Sequence, residues 1–367
     1  MLKPFLLLSI LILNAVLANA SPSASSKNKN ELPADQLKPI GRFDISDGKL
    51  ELIGSAVHFG ISFEGKECMV LASLSPWQDH NYIQYEIDGV YQKRVKVKGG
   101  STNSITITAS SAGKHTLWIY KATEAQTGPV FIHKLQAKNI KALGIKRKPL
   151  IEFIGNSITC GAASDPSEVP CGTGEYHDQH NAYQAYGPRL ARLLKVNYLL
   201  SSVSGYGMYR NWNSDGPTLP QVYDKLDLQE SSDRKWNSET YSPDIISIAL
   251  GTNDFSNGDG KKLRAAFDSV AYINTYVGFV KKLKASHPNA QIVLLNSPTV
   301  TGAKDQVFRA CLNSVKRQID STFSEQKPLA LFFFDSMDIH GCSGHPDLKD
   351  HEIMAKQLLP FFKKLVK

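Results

Sequence analysis

Between Ile40 and about Ala137 the apolar positions come in short alternating runs. Tyr82-Ile83-Gln84-Tyr85-Glu86-Ile87 shows the pattern at its clearest, and Asp88-Gly89 follows it. A two-residue period marks a half-buried strand, and Asp-Gly favours a tight hairpin. KLELIGSAVHFGISFEG, NSITITASSAG and HTLWIYKA repeat the alternation between turn residues. Many short strands at this spacing predict an all-β sandwich over residues 38–140. After Leu143 the pattern changes. Residues 141–149 read as a linker, basic at Lys146, Arg147 and Lys148 and closed by Pro149. From 150 to 367, apolar strands alternate with helical spacing. Strands are expected at 150–154, VNYLLSSVS, DIISIALG, QIVLLNS and ALFFFD. Helices are expected at Tyr186–Leu194, Leu263–Lys284, Val307–Phe323 and Asp350–Val366, with Pro188 tolerated in a first turn. This alternation predicts an α/β domain, a parallel sheet flanked by helices.

The chain begins MLKPFLLLSILILNAVLANA: one lysine, a leucine-rich run, and Ala18-Asn19-Ala20 as a small-residue cleavage site. Residues 1–20 are read as a secretory signal peptide, since the apolar run is short for a membrane span. Residues 21–37, small, polar and proline-containing, are read as a flexible leader. A secreted, extracellular protein is expected, a monomer with no membrane span. The net charge of +8 over 367 residues is spread in short clusters, and no nucleic acid partner is expected. Five cysteines suit an oxidising compartment, and their spacing matches no zinc pattern. Cys160 and Cys171 bracket a turn-rich loop and are expected to close it as a disulfide. Cys311 and Cys342 form a second candidate pair, with Cys68 left over. No metal and no cofactor is implied.

Several strands of the second region end on polar, glycine-bearing turns: Gly155-Asn156-Ser157, Ser204-Gly205-Tyr206-Gly207 and Gly251-Thr252-Asn253-Asp254. Gly344-His345-Pro346 precedes the last helix. Loops that follow parallel strands meet at one sheet edge, where open α/β sheets bind ligands. Acyl transfer needs a nucleophile, a base, and donors for the oxyanion. Ser157 supplies the hydroxyl and His345 the base. The Ser157 N–H, the Gly205 N–H and the Asn253 side-chain amide supply the oxyanion donors.

Taken in order, GNS, SGYG, GTND and the late histidine resemble the four blocks of the SGNH hydrolases, also called GDSL esterases, over residues 150–367. HTLWIYKATEAQTGP, SGYGMYRNW and GCSGHP look like the carbohydrate esterase family 2 pattern. That resemblance implies an N-terminal jelly roll before an SGNH domain, and a secreted serine esterase that removes O-acetyl groups from plant polysaccharides, so an acetylated carbohydrate is the expected partner. It implies the same roles for Ser157, His345, Gly205 and Asn253. Tyr206, Tyr209 and Trp212 are expected as an aromatic wall for a sugar. Two positions depart from the pattern. Asn156 stands where Asp is usual, and Cys342 and Ser343 stand where the family places the aspartate that orients the histidine. With that acid absent, a backbone carbonyl in the 338–344 loop is expected to receive the His345 Nδ1–H, in preference to Asp335, Asp338, Asp347 or Asp350. Two other readings stay open: a lipase or esterase acting on other small esters, and a carbohydrate-binding protein without catalysis on an esterase frame.

Overall fold

The computed structural model describes Met1 and residues 29–237 and 240–366. The expected signal peptide and the start of the leader lie outside the described residues. The end of the leader does not behave as a flexible segment. Glu31–Pro33 forms a strand, β1, that pairs antiparallel with a strand a hundred residues later. Leu32, Ala34 and Leu37 are buried there, and their apolar contacts fix the segment.

The β region continues with β2 (Phe43–Ser46), β3 (Lys49–Leu52), β4 (His58–Leu74), β5 (His80–Ile87), β6 (Val90–Lys98), β7 (Asn103–Lys121) and β8 (Val130–Ala142). Among the described residues these strands form one eight-stranded antiparallel sheet, ordered β2-β3-β8-β4-β7-β5-β6 with β1 on β8. Leu50 and Leu52 near one end share a core with Val97 of β6 at the other. The sheet therefore curls over itself, and its layers are continuous through the long strands. A register shift in β4 between Gly65 and Glu67 lets the strand bend. The runs NSITITASSAG and HTLWIYKA are thus two ends of the single strand β7. The Asp88-Gly89 hairpin forms between Ile87 and Val90, both turn residues having positive φ, 51° and 80°.

The second domain runs β9 (Leu150–Gly155), α1 (Ser157–Cys160), α2 (Tyr186–Leu194), β10 (Asn197–Ser202), α3 (Leu219–Val222), β11 (Ile245–Ala249), α4 (Thr252–Phe255), α5 (Ser269–Ser286), β12 (Gln291–Leu295), α6 (Gly302–Thr322), β13 (Ala330–Phe332) and α7 (Leu348–Leu365). Its five strands are parallel in the order β10-β9-β11-β12-β13. The strand order reverses at β9, which places the crevice of a doubly wound sheet at the carboxyl ends of β9, β10 and β11. The helix expected from Leu263 begins only at Ser269. Arg264 folds back onto the carbonyls of Asn211, Trp212 and Asn253, and Asp268 caps α5 by accepting from Val270 N and Ala271 N.

Polar groups pin the two domains together. Arg42 of the β domain is fully buried, donating to Ser201 Oγ (3.1 Å), the Tyr223 carbonyl (3.0 Å) and the Lys225 carbonyl (2.8 Å). Arg94 of β6 donates to the carbonyls of Asp178 (2.6 Å) and His180 (2.9 Å). His80 Nε2 and Tyr82 OH both lie against Asp178 Oδ1, at 2.6 and 2.7 Å. The irregular segment between α1 and α2 is in this way shaped by the β domain, and it runs past the crevice.

Candidate active site

Ser157 opens α1 directly after β9. Asn156 caps the helix, its Oδ1 accepting from Ile158 N at 3.1 Å. This is the role an aspartate would fill, so the Gly-Asn-Ser departure is absorbed in the turn. The Asn156 amide nitrogen is buried without a hydrogen-bond partner. The first N–H groups of a helix have no partner within it, so the Ser157 N–H is free to serve a ligand. Gly205, after β10, has φ 79°, and its carbonyl accepts from Trp212 N at 2.8 Å. Asn253, on α4 after β11, is 7% exposed, and its side-chain amide donates to the Tyr206 carbonyl at 2.7 Å. That bond fixes the Asn253 side chain and leaves its second amide hydrogen available. The next residue, Asp254, is fully buried and accepts from the backbone N–H groups of Met208, Tyr209 and Arg210. The GTND turn thus ties down the whole loop that carries Gly205.

His345 sits half-buried before α7. Its Nδ1–H donates toward the carbonyls of Ser343 (3.1 Å) and Cys342 (3.3 Å). The expected carbonyl contact is present, and it assigns the tautomer with Nε2 as acceptor. Tyr176 OH lies 3.4 Å from that Nε2. Of the four aspartates, Asp347 caps α7 through Lys349 N and Asp350 N, and Asp350 binds His340 and Asp347 N. Burial lowers the His345 pKa from its usual 6.5, and the hydrogen bonds to the two carbonyls oppose it.

Ser157, Gly205, Asn253 and His345 line one cavity of about 550 Å³, with Trp212, Tyr176 and Thr299 among its other walls. Two of the three expected wall aromatics do not line it. Tyr209 packs against Phe267 and Tyr272, its hydroxyl accepting from Asp268 N. Tyr206 is turned toward Gln126 and a separate shallow basin bounded by Pro217 and Glu230. Neighbouring residues in an irregular loop point in different directions, so adjacency to Gly205 did not place all three. Tyr176, which does line the cavity, lies in a segment without periodicity, and nothing in the sequence singled it out.

The disulfide is also a correction. Cys171 bonds Cys342, and Cys160 and Cys311 are buried thiols. Cys160 lies on α1 with its sulfur near Ser202 Oγ (3.2 Å) and Glu124 Oε2 (3.6 Å), turned away from the loop it was expected to close. Cys311 faces the core from α6. The bond that forms ties the Tyr176 segment to the His345 loop.

Two family models match the chain: carbohydrate esterase 2 N-terminal over residues 39–144, and the GDSL-like lipase/acylhydrolase family over residues 153–346. An acetylxylan esterase / glucomannan deacetylase of Cellvibrio japonicus is 28% identical over 317 residues, covering 83% of this chain and 82% of that protein. The structure of a family two carbohydrate esterase from Cellvibrio japonicus superposes with a TM-score of 0.79 at 24% identity, covering 92% of this chain and 97% of that one. That of a family two carbohydrate esterase from Clostridium thermocellum, in complex with cellohexaose, gives 0.77 at 25% identity, covering 89% and 98%. The second model alone spans more than half of the sequence and takes in the loops of Ser157, Gly205, Asn253 and His345, so the chain belongs to the GDSL-like lipase/acylhydrolase family and, with the carbohydrate esterase 2 domain ahead of it, is a carboxylic ester hydrolase.

Proposed function

We propose that this protein is a secreted serine esterase that removes O-acetyl groups from plant cell-wall polysaccharides through an acyl-enzyme. The observation that carries the reading is the single cavity into which Ser157, Gly205, Asn253 and a tautomerically fixed His345 converge. Ser157 Oγ attacks the acetyl carbonyl as His345 Nε2 takes its proton. The oxyanion is held by the N–H groups of Ser157 and Gly205 and the Asn253 amide. Collapse returns the proton to the departing sugar alcohol, and water then releases acetate by the same steps. Trp212, 44% exposed at the rim, offers a face on which a sugar ring stacks. The carbonyl partners of Nδ1 orient the ring but stabilise the imidazolium less than a carboxylate does, so the pair acts as a dyad. The acetylxylan esterase and the cellohexaose-bound structure among the relatives support the substrate class. Export rests on the Ala18-Asn19-Ala20 pattern, and N-terminal sequencing of the exported protein is expected to begin at Ser21.

Ser157→Ala is expected to abolish release of acetate from acetylated xylan and glucomannan and hydrolysis of 4-nitrophenyl acetate, with the fold intact by circular dichroism. Residual activity above a few per cent points to another nucleophile. Faster cleavage of octanoate than acetate esters, with no release from acetylated glycans, favours a lipase. No reaction with a serine-directed phosphonate leaves only a binding protein.

A further inference from the structure

From the turn after β7 the β domain buries an acidic side chain, Glu124, against the loop that carries Gly205. Glu124 is 2% exposed. Its Oε2 accepts from Ser204 N at 2.6 Å, the residue directly before the proposed oxyanion donor Gly205. Its Oε1 lies 3.2 Å from Nε2 of His180, itself fully buried. Ala163 N–H points at His180 Nδ1 (3.4 Å), so Nδ1 accepts and Nε2 carries the proton that is donated to Glu124. The Cys160 thiol is the further neighbour of Oε2, at 3.6 Å. Lys121, fully buried, donates from Nζ to the main-chain carbonyls of Glu124 (2.6 Å) and Thr123 (3.2 Å), anchoring the turn.

Every partner of the Glu124 side chain is a donor. A carboxylate, with acceptors at both oxygens, is the one side-chain group of this length that satisfies Ser204 N and His180 Nε2 together. A glutamine places an NH₂ against one of them. Burial works against the charged form, but the hydrogen bonds from His180 and Ser204 outweigh it and hold the carboxyl below the usual glutamate range. From His180 the contacts continue to the active site: its ring meets Tyr176 edge-on at 4.8 Å, and Tyr176 OH is 3.4 Å from His345 Nε2.

We propose that Glu124 is a positioning residue for ester hydrolysis: by holding Ser204 N–H it locks the turn after β10 and aims the Gly205 N–H into the oxyanion hole. The β domain is on this account part of the catalytic apparatus as well as a neighbour of it. The inference rests on Gly205 serving as an oxyanion donor in the function proposed above. A donor that is misaimed in the transition state lowers turnover without weakening ground-state binding.

Glu124→Gln in the full chain is therefore expected to lower kcat on 4-nitrophenyl acetate and acetylated xylan about 100-fold, with KM within about threefold, counted per folded molecule. A purely structural role lowers the melting temperature and leaves kcat of the folded fraction unchanged, and that outcome overturns the proposal. Amide hydrogen exchange on the wild-type protein tests it without a variant. The Ser204 amide is expected to exchange at least about 100-fold more slowly than the amide of Gly205, a residue that lines the cavity. Equal exchange at the two overturns the proposal even if Glu124→Gln does not fold. A wild-type chain that hydrolyses no acetyl ester defeats the esterase reading instead, while the exchange result still reports on the Glu124–Ser204 bond.

Discussion

His345 carries the sharpest consequences at the scale of single residues. A base must be neutral to take the Ser157 proton, so kcat/KM is lost as pH falls through the imidazole pKa. Because burial lowers that pKa from 6.5, the acid limb is expected below the usual histidine range. A pH–rate profile with its midpoint above about 6.5 contradicts this. His345→Ala is expected to be nearly inactive. Asp347→Ala removes the cap of α7 and is expected to cost about 1 kcal/mol of stability while turnover stays within about tenfold of the parent. A loss near 10⁴ in a folded Asp347 or Asp350 variant reveals a true triad, since that is about what loss of the correct tautomer costs in a Ser-His-Asp enzyme. Gly205 has φ 79° with open space where a side chain would point. Gly205→Ala therefore strains the backbone without a clash, and turnover is expected to fall more than KM rises.

At the scale of elements, the segment between α1 and α2 and the loop before α7 act as one unit, because Cys171 and Cys342 join them. Cys342 also donates from its N–H to the Ala163 carbonyl (2.9 Å), and its own carbonyl is one of the two that orient His345. The bond spans 171 residues of chain, and in the chain-entropy account such a closure contributes on the order of 5 kcal/mol through the unfolded state. Cys171→Ser paired with Cys342→Ser is expected to lower the melting temperature by several degrees and to reduce kcat, as the Ser343 and Cys342 carbonyls lose their fixed position. A variant with unchanged kcat shows that hydrogen bonding alone holds the His345 loop. Free thiols at both positions in exported protein remove the disulfide itself.

For the whole molecule, the junction between domains is the feature that matters. Arg42 satisfies two buried carbonyls and Ser201 Oγ across it, and its guanidinium lies 4.5 Å from the Trp236 ring. Arg42→Ala leaves those acceptors buried without a donor, an effect of about 3 kcal/mol or more. Calorimetry on the variant is expected to show a melting transition several degrees lower. A transition within 1 °C or so of the parent means that water or a side-chain shift replaces the guanidinium.

The division into an all-β region and a parallel α/β domain is written in the residue pattern, because side-chain period and strand-helix alternation are local properties. Ser157, Gly205, Asn253 and His345 stand out as candidates in the same pattern, because each sits on a turn with distinctive residues directly after a strand or before a helix. The resemblance to carbohydrate esterases was legible in those same short blocks. Pairings that join distant segments follow from how the chain packs and have no local signature. Cys171 met Cys342 and not Cys160 because the sheet edge, not loop length, sets which segments pass each other. Tyr176 reached His345 because Arg94, His80 and Tyr82 of the β domain shape its segment. Glu124 came to lie under Ser204 because the two domains dock there, a contact across 80 residues that no local pattern encodes. Local periodicity reports on burial along one element; the partner of a buried polar atom depends on how elements meet, and that is fixed only when the whole chain has packed.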